Sequence, residues 1–170
     1  MIHQVDEQDG HILLHFGSRP ENIGQITFVT VVAHKHRKIL YAKWREDESW
    51  TLPSGRVKPD ETAEAAAHRE LIEETGATVT NLEVLCYVHS FMFGLDYWGI
   101  TYLGEVSSLS TFTDTDEVAE VAFWAKLPEP ITDQFRGQAE ALHQAAQEHL
   151  QMDGWKNGRI GASNHPFGST

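Results

Sequence analysis

The stretch Gly55–Ala77, GRVKPDETAEAAAHRELIEETGA, constrains this chain more than any other. Glu61 to Thr75 is rich in Ala, Glu and Leu, which are good helix formers, so a helix is expected there. Asp60 is placed to cap its start. Gly76 lies just past its end, where a glycine stops a helix. In helical projection Glu70, Glu73 and Glu74 fall within an arc of about 100°. Ala63, Ala66 and Ala67 lie on the same side one or two turns earlier, and Leu71 sits at the edge. A helix docking a sheet with this face carries like charges three and four residues apart. Each such pair costs a few tenths of a kcal/mol, and more when partly buried. A bound cation removes that cost, and hard oxygen ligands select Mg²⁺, Mn²⁺ or Ca²⁺. The alternative is a solvated acidic face with Arg69 paired to Glu73. The loop before the helix, with Gly55 and Pro59, favours the first reading, because a loop feeding a helix N-terminus can present backbone groups to a phosphate or metal.

Around this helix the chain reads as strands. Ile26 to Ala33 (ITFVTVVA) is β-branched and nearly continuous, like a strand buried on both faces. With Ile39 to Trp44 it forms an expected hairpin across the polar turn His34 to Lys38. His11 to Phe16, Leu82 to Phe93, Leu95 to Val106 and Val118 to Trp124 are further strand candidates. Trp50 to Leu52 is a short extended piece, and Ser54 to Asp60 is read as loop. Ile131 to Met152 has apolar residues near helical spacing. This order predicts an α/β layered domain around a mixed sheet. One domain is expected over residues 1–152, with a flexible tail from Asp153, where Gly, Asn, Ser and Pro dominate.

Composition narrows the function classes. The 170 residues hold 13 Lys plus Arg and 25 Asp plus Glu, a net charge of −12. That argues against an electrostatic partner of nucleic-acid polymers, which needs a basic face. No apolar run approaches the ~18 residues of a membrane span. The polar, acidic N-terminus does not read as a signal peptide. One cysteine, Cys86, excludes an internal disulfide and fits a reducing, cytoplasmic setting. Ten histidines are scattered without H-x-x-x-H or H-E-x-x-H spacing, and none is assigned to a metal.

The 23 residues from Gly55 resemble the Nudix box, G-x5-E-x7-R-E-U-x-E-E-x-G-U, where U is aliphatic. Gly55, Glu61, Arg69, Glu70, Leu71, Glu73, Glu74 and Gly76 fill its fixed positions. Ala77 takes the last U, and Ser54 replaces the first of a glycine pair common before the box. At ordinary residue frequencies such a match arises by chance roughly once in 10⁸–10⁹ starts. A looser resemblance, with W-x-L-P before the box and E-V-x-E-V-x-F-W after it, extends over about residues 24 to 150.

The resemblance implies an α/β/α sandwich, with a mixed sheet between the box helix and a C-terminal helix. It implies Mg²⁺- or Mn²⁺-dependent hydrolysis of a pyrophosphate bond in a nucleoside diphosphate-linked small molecule, such as a nucleoside triphosphate or ADP-ribose. A non-catalytic module sensing a nucleotide or binding a protein is the alternative, and a homodimer is compatible with the family. By the same resemblance Glu70, Glu73 and Glu74 are metal ligands, joined by the backbone carbonyl at Ser54 or Gly55. Arg69 orients the glutamates. Glu61 either assists water or metal or favours the helix N-terminus. Glu117, ahead of the last strand, is the best placed of Asp114, Asp116, Glu117 and Glu120 to serve as base; otherwise it is a solvated loop acid. Arg45, Arg56 and Lys43 could neutralise phosphates. Trp44 and Phe91, with Phe93, Tyr97 and Trp98, are candidate base clamps. A third reading, an isopentenyl diphosphate isomerase-like enzyme of the same fold, would need Cys86 as a catalytic thiol.

Overall fold

The computed structural model describes residues 1–132 and 135–162, with side chains described through Asp153. Nine strands form one mixed sheet: β1 (Ile2–Glu7), β2 (Gly10–His15), β3 (Ile26–Lys35), β4 (Lys38–Trp44), β5 (Trp50–Thr51), β6 (Ser54–Arg56), β7 (Ala77–Met92), β8 (Leu95–Leu109) and β9 (Val118–Trp124). Two helices, α1 (Ala63–Thr75) and α2 (Arg136–Ala162), pack on it. The strand order is β1-β2-β7-β8-β3-β4-β5, with β6 on β3 and β9 on β4. Only β3–β8 is parallel among the pairs of named strands.

The sheet carries a core on each face. On one side Val29, Val31, Ala33 and Leu40 meet Ala66, Ala67 and Leu71 of α1. On the other Ile12, Leu14, Val32, Tyr41 and Val88 meet Ala139, Leu142 and Ala146 of α2. This double burial explains the unbroken apolar run of β3, as its sequence led one to expect. α2 is fastened beyond its apolar contacts. Tyr41 and His143 share a 2.7 Å hydrogen bond between the Tyr hydroxyl and Nδ1. The Glu7 carboxylate accepts the Gln138 amide proton at 2.6 Å, in the first turn of α2.

Beyond their shared hairpin end, β3 and β4 diverge. They pair directly only at His34–Ile39 and Lys35–Lys38. The segment Trp50–Arg56 fills the gap, β5 pairing with β4 and β6 with β3. This wedge brings Ser54 and Gly55 against α1.

Several expectations shift. The polar, acidic N-terminus, to which no element was assigned, holds a strand, Ile2–Glu7, paired throughout with β2. Its alternation is masked because Val5 is its only buried residue. Part of the expected 54–60 loop is strand β6. The cap of α1 is Thr62, whose hydroxyl accepts from the Ala65 amide at 3.1 Å, and not Asp60, which sits at φ 63° in the turn before. Gly76 ends the helix in the left-handed region at φ 72°, and a Cβ there would overlap the Ser110 carbonyl. The last helix starts at Arg136 rather than Ile131, because Ile131 pairs with Trp50 in an isolated bridge. Its backbone runs past Met152 to Ala162. The remainder of the expected tail, 163–170, lies outside the described residues. No helix among the described residues is long and apolar enough to cross a membrane.

Candidate active site

The glutamate face of α1 meets the β5–β6 wedge at its most closely packed point. Gly55 lies directly on the Glu70 side chain, so that any Cβ at this position would overlap the Glu70 carboxylate. The glycine is therefore required by close approach, since its backbone is otherwise ordinary strand. One residue earlier, the Ser54 amide donates to Glu74 Oε2 at 3.0 Å. Glu74 is 5% exposed, a carboxyl at the boundary between the two layers. Burial pushes its pKa up to about 9, with further upward pressure from Glu70, Asp114 and Glu117.

Arg69 organises the rest. Its guanidinium grips both Glu61 oxygens at 2.8 and 2.9 Å, Glu70 Oε1 at 2.7 Å, Glu73 Oε2 at 3.4 Å and the Arg56 carbonyl at 2.9 Å. The i,i+4 contact with Glu73, the pairing expected of a solvated face, is the longest of these. The strongest grip is on Glu61, which lies just before the helix and outside its periodicity. Glu61 also accepts from the Lys58 amide at 3.0 Å, and Arg69 holds its carboxyl down to about 2. Glu61 is thus fully occupied as the brace between the loop and Arg69.

The fourth component arrives from the loop after β8. The amides of Thr113 and Asp114 both donate to the Glu73 carbonyl, at 3.1 and 2.9 Å, near the exposed end of α1. This pins Asp114, Asp116 and Glu117 beside the helix. Glu117 has its pKa raised, chiefly by the charge of Asp114 and also by Asp116 and Glu70. Glu70 is likewise raised, by burial, despite Arg69. Three carboxyls that bind protons too tightly around one already engaged arginine form a site short of positive charge. The donors are hard oxygens, the set that suits Mg²⁺ or Mn²⁺. Glu70 and Glu73 lean toward Arg69, so holding one ion jointly with Glu74 requires small side-chain rotations. Among the described residues, the ligand atoms that already lie within 4.8 Å of one another belong to Glu83, His149 and Asp153, elsewhere on the molecule.

A NUDIX domain model matches residues 24–145. The chain belongs to the NUDIX family. An RNA pyrophosphohydrolase from Histophilus somni is 41% identical over 69 residues, which is 41% of this chain and 33% of that protein. The match thus spans about a third of that relative's length. A Bacillus subtilis pyrophosphohydrolase structure superposes with a TM-score of 0.73 at 24% identity, covering 90% of this chain and 98% of that one. The NUDIX domain of Shewanella oneidensis NrtR, in complex with ADP ribose, gives a TM-score of 0.58 at 22% identity, covering 78% of this chain and 94% of that one. Both likenesses confirm the NUDIX fold, a mixed sheet between two helices.

A cavity of about 180 Å³ opens on the far side of the wedge, between the sheet and α2. Ser54 lines it while its amide holds Glu74, so cavity and carboxylates share a wall. Phe28, Tyr97 and Leu142 give it apolar walls, with Thr30, Ser90 and Gln138 as polar groups. Ser90 is 2% exposed, and its hydroxyl has no hydrogen-bond partner among the described residues. A buried hydroxyl facing a cavity without a partner is a place for a ligand atom or water.

Other expected contacts fall elsewhere. Arg45 is exposed, its guanidinium donates to the Thr115 and Val118 carbonyls at 3.2 and 3.3 Å, and its amide donates to the Glu117 carbonyl at 2.7 Å. It holds the loop that carries Glu117. Phe91 stacks between His11 and His89 on the α1 side of the sheet, outside the cavity. Trp98 stacks on His89 in the same group. Trp44 lines a shallow groove with Asp47, Asp116 and Glu117. Lys43 leans over the Trp50 ring, 5.8 Å from its centroid. Arg56 is exposed beside the wedge. Of the five aromatics singled out, Tyr97 alone lines the cavity. Cys86 is 1% exposed on the α2 side, and burial pushes its thiol up to about 12, an inert setting that argues against the isomerase-like reading.

Ser90 and Gln138 escaped the sequence reading. A signal existed for Ser90. Cys86, Val88, Ser90 and Met92 share one strand face, and a lone hydroxyl among core residues marks a polar need there. Gln138 carries no such signal, because only the sheet-to-helix packing brings it to the cavity.

Proposed function

We propose that this chain hydrolyses a pyrophosphate bond in a nucleoside diphosphate-linked small molecule, a nucleoside triphosphate or a nucleotide sugar such as ADP-ribose, using Mg²⁺ or Mn²⁺. The observation that carries the reading is Glu74: a buried carboxyl with its pKa raised to about 9, held by Ser54 at the wall of a cavity and crowded by Glu70 and Glu117. Such an arrangement is costly for a folded protein and is rational where a cation binds.

Glu70, Glu73 and Glu74, with the Gly55 carbonyl, would hold the cation. When bound, it polarises the phosphoryl oxygens and neutralises charge on the leaving oxygen. Arg69 fixes the directions of Glu70 and Glu73 and is itself braced by Glu61. Glu117, with its raised proton affinity and exposed position, accepts a proton from the attacking water. Arg56 lies at the rim, where a phosphate would pass. The cavity behind Ser54 receives the base. Its volume is below the ~300 Å³ of a complete drug-sized site, so it suits one part of a ligand. Tyr97 and Phe28 offer flat apolar contact, and Ser90, Thr30 and Gln138 read polar edges. The single buried cysteine is compatible with work in the cytoplasm.

The activities of the relatives favour a second reading of the substrate. The Histophilus somni relative is an RNA pyrophosphohydrolase, and a 5′-terminal triphosphate of RNA presents the same bond. The charge of −12 opposes a long phosphate track and leaves a single chain end admissible.

The test is hydrolysis by the full chain in Mg²⁺ and in Mn²⁺. Its substrates are oxidised and normal nucleoside triphosphates, ADP-ribose, dinucleoside polyphosphates, NADH, coenzyme A and 5′-triphosphorylated RNA. Metal-dependent turnover of one small molecule supports the proposal. Turnover of RNA ends alone transfers it to the second reading. Binding without turnover across the set would make this a sensing module.

A further inference from the structure

We propose that Glu83, His149 and Asp153 form a second cation site, separate from the glutamates of α1, that takes a divalent ion of the zinc class and ties α2 to β7. His149 and Asp153 lie one turn apart on α2, and Glu83 faces them from β7. Both carboxylates converge on one atom: His149 Nε2 lies 3.0 Å from Glu83 Oε1 and 3.2 Å from Asp153 Oδ2. One ring nitrogen carries one proton at most, so it cannot serve both oxygens well. A cation shared among the three atoms can.

The spacing agrees. Bonds of about 2.0–2.2 Å from zinc to nitrogen and oxygen place neighbouring ligand atoms about 3.0 Å apart in octahedral and about 3.4 Å apart in tetrahedral geometry. The two separations from His149, 3.0 and 3.2 Å, fall in that range, and all three ligand atoms lie within 4.8 Å of one another. All three side chains are solvated, with 61%, 39% and 50% exposure for Glu83, His149 and Asp153. Rotation and desolvation are therefore cheap. Further donors stand nearby. His34 of β3 is paired in register with Glu105 of β8, and His34 lies within electrostatic reach of all three residues.

The donor chemistry distinguishes the two sites. The α1 cluster offers oxygen only, which suits Mg²⁺ or Mn²⁺. An imidazole with two carboxylates suits Zn²⁺, Co²⁺ or Ni²⁺. An ordinary surface ion pair would add little to stability. A metal cross-link between a helix and a strand stabilises by mass action.

The experiment uses the full chain stripped with chelator and then equilibrated with Zn²⁺ in excess Mg²⁺, which occupies the glutamates. Bound zinc per chain and melting temperature are measured for wild type, His149→Ala, Glu83→Gln and Glu74→Gln. Wild type and Glu74→Gln should each retain about one zinc more than His149→Ala or Glu83→Gln. The zinc-dependent rise in Tm, about 5 °C or more near hundredfold saturation, should vanish in those two variants. Equal zinc content and equal Tm shifts in wild type and His149→Ala would overturn the proposal. Loss of the zinc increment in Glu74→Gln would also do so, by placing the ion at the α1 cluster.

Discussion

The two helices dock on opposite faces of one sheet by opposite means. α2 buries Ala139, Leu142 and Ala146 and closes its one deep polar contact with the Tyr41–His143 hydrogen bond. His143 has a partner on each ring nitrogen, Tyr41 and the Ala125 carbonyl, and the sheet beneath keeps one hydroxyl unpartnered among the described residues, Ser90, at the cavity. α1 also buries alanines and a leucine, yet its last turns push Glu74 into the layer boundary with a single backbone hydrogen bond, and crowd Glu70 against Gly55. The small alanines bring α1 close to the sheet, and that closeness brings its carboxylates against β6. The α2 face is built for stability. The α1 face gives up stability to hold its charges against the wedge, the arrangement on which the proposed cation site rests.

Changes on the α2 face should therefore alter stability and spare the chemistry. Leu14→Ala removes a fully buried side chain from the sheet face that α2 covers, away from the cavity. It should lower unfolding free energy by about 2–5 kcal/mol, while turnover per folded molecule at low temperature stays near normal. Denaturant melts beside active-site titration check this. An equal fall in both would erase the distinction between the faces. On the α1 side, Glu117→Gln should reduce kcat a hundredfold, about 2.7 kcal/mol in the transition state, with an unchanged melt. Near-normal turnover would remove Glu117 from the chemistry. Gly55→Ala is subtler. Its added Cβ meets the flexible end of Glu70 rather than backbone, so the fold can absorb it by displacing that carboxylate. Metal affinity should weaken about tenfold, roughly 1.4 kcal/mol, with Tm within ~2 °C of wild type. A Mn²⁺ titration with intact affinity would show that Glu70 does not need its present position.

The same comparison explains what could be read from the sequence. Local features were legible: the periodicity of α1, the Gly76 stop and the carboxylate arc each depend on neighbours a few residues apart. The bounds of β9 were legible too, because Val118–Trp124 is flanked by charged and proline-bearing loops. Long-range arrangements were not. β1 looks polar because only Val5 turns inward, and its pairing with β2 comes from the hairpin rather than from burial. The solvated-face alternative pairs Arg69 with Glu73 along the helix. The main partner of Arg69 is Glu61, reached only because the chain departs from helical geometry between Asp60 and Thr62. Arg45 read as a free cation because its acceptors are carbonyls of a loop 70 residues away. The cavity required β3, β7, β8 and α2 together, an assembly that no local pattern announces.

If the Glu74 carboxyl is held for a cation, its proton must leave when the ion binds. Because its folded pKa is raised to about 9, the metal-free chain keeps a proton there at neutral pH. The unfolded chain loses that proton near pH 4.3. The associated stability is full below that value and is lost as pH rises through about 9. His143, whose pKa is lowered by burial, acts the other way, below about pH 6.5. The window from pH 7 to 8 lies above the histidine range and below that of an unfolded-chain cysteine, so it reports the raised carboxyls of this cluster, Glu74 foremost. The most direct measurement is calorimetric titration of Mn²⁺ into the metal-free chain at pH 7.5, in buffers of differing ionisation enthalpy. The account predicts about one proton released per bound ion in wild type. It predicts no such release, and no turnover, in a Glu74→Gln variant that melts no lower than wild type. Binding without proton release, or a Gln variant that binds and hydrolyses normally, would contradict it.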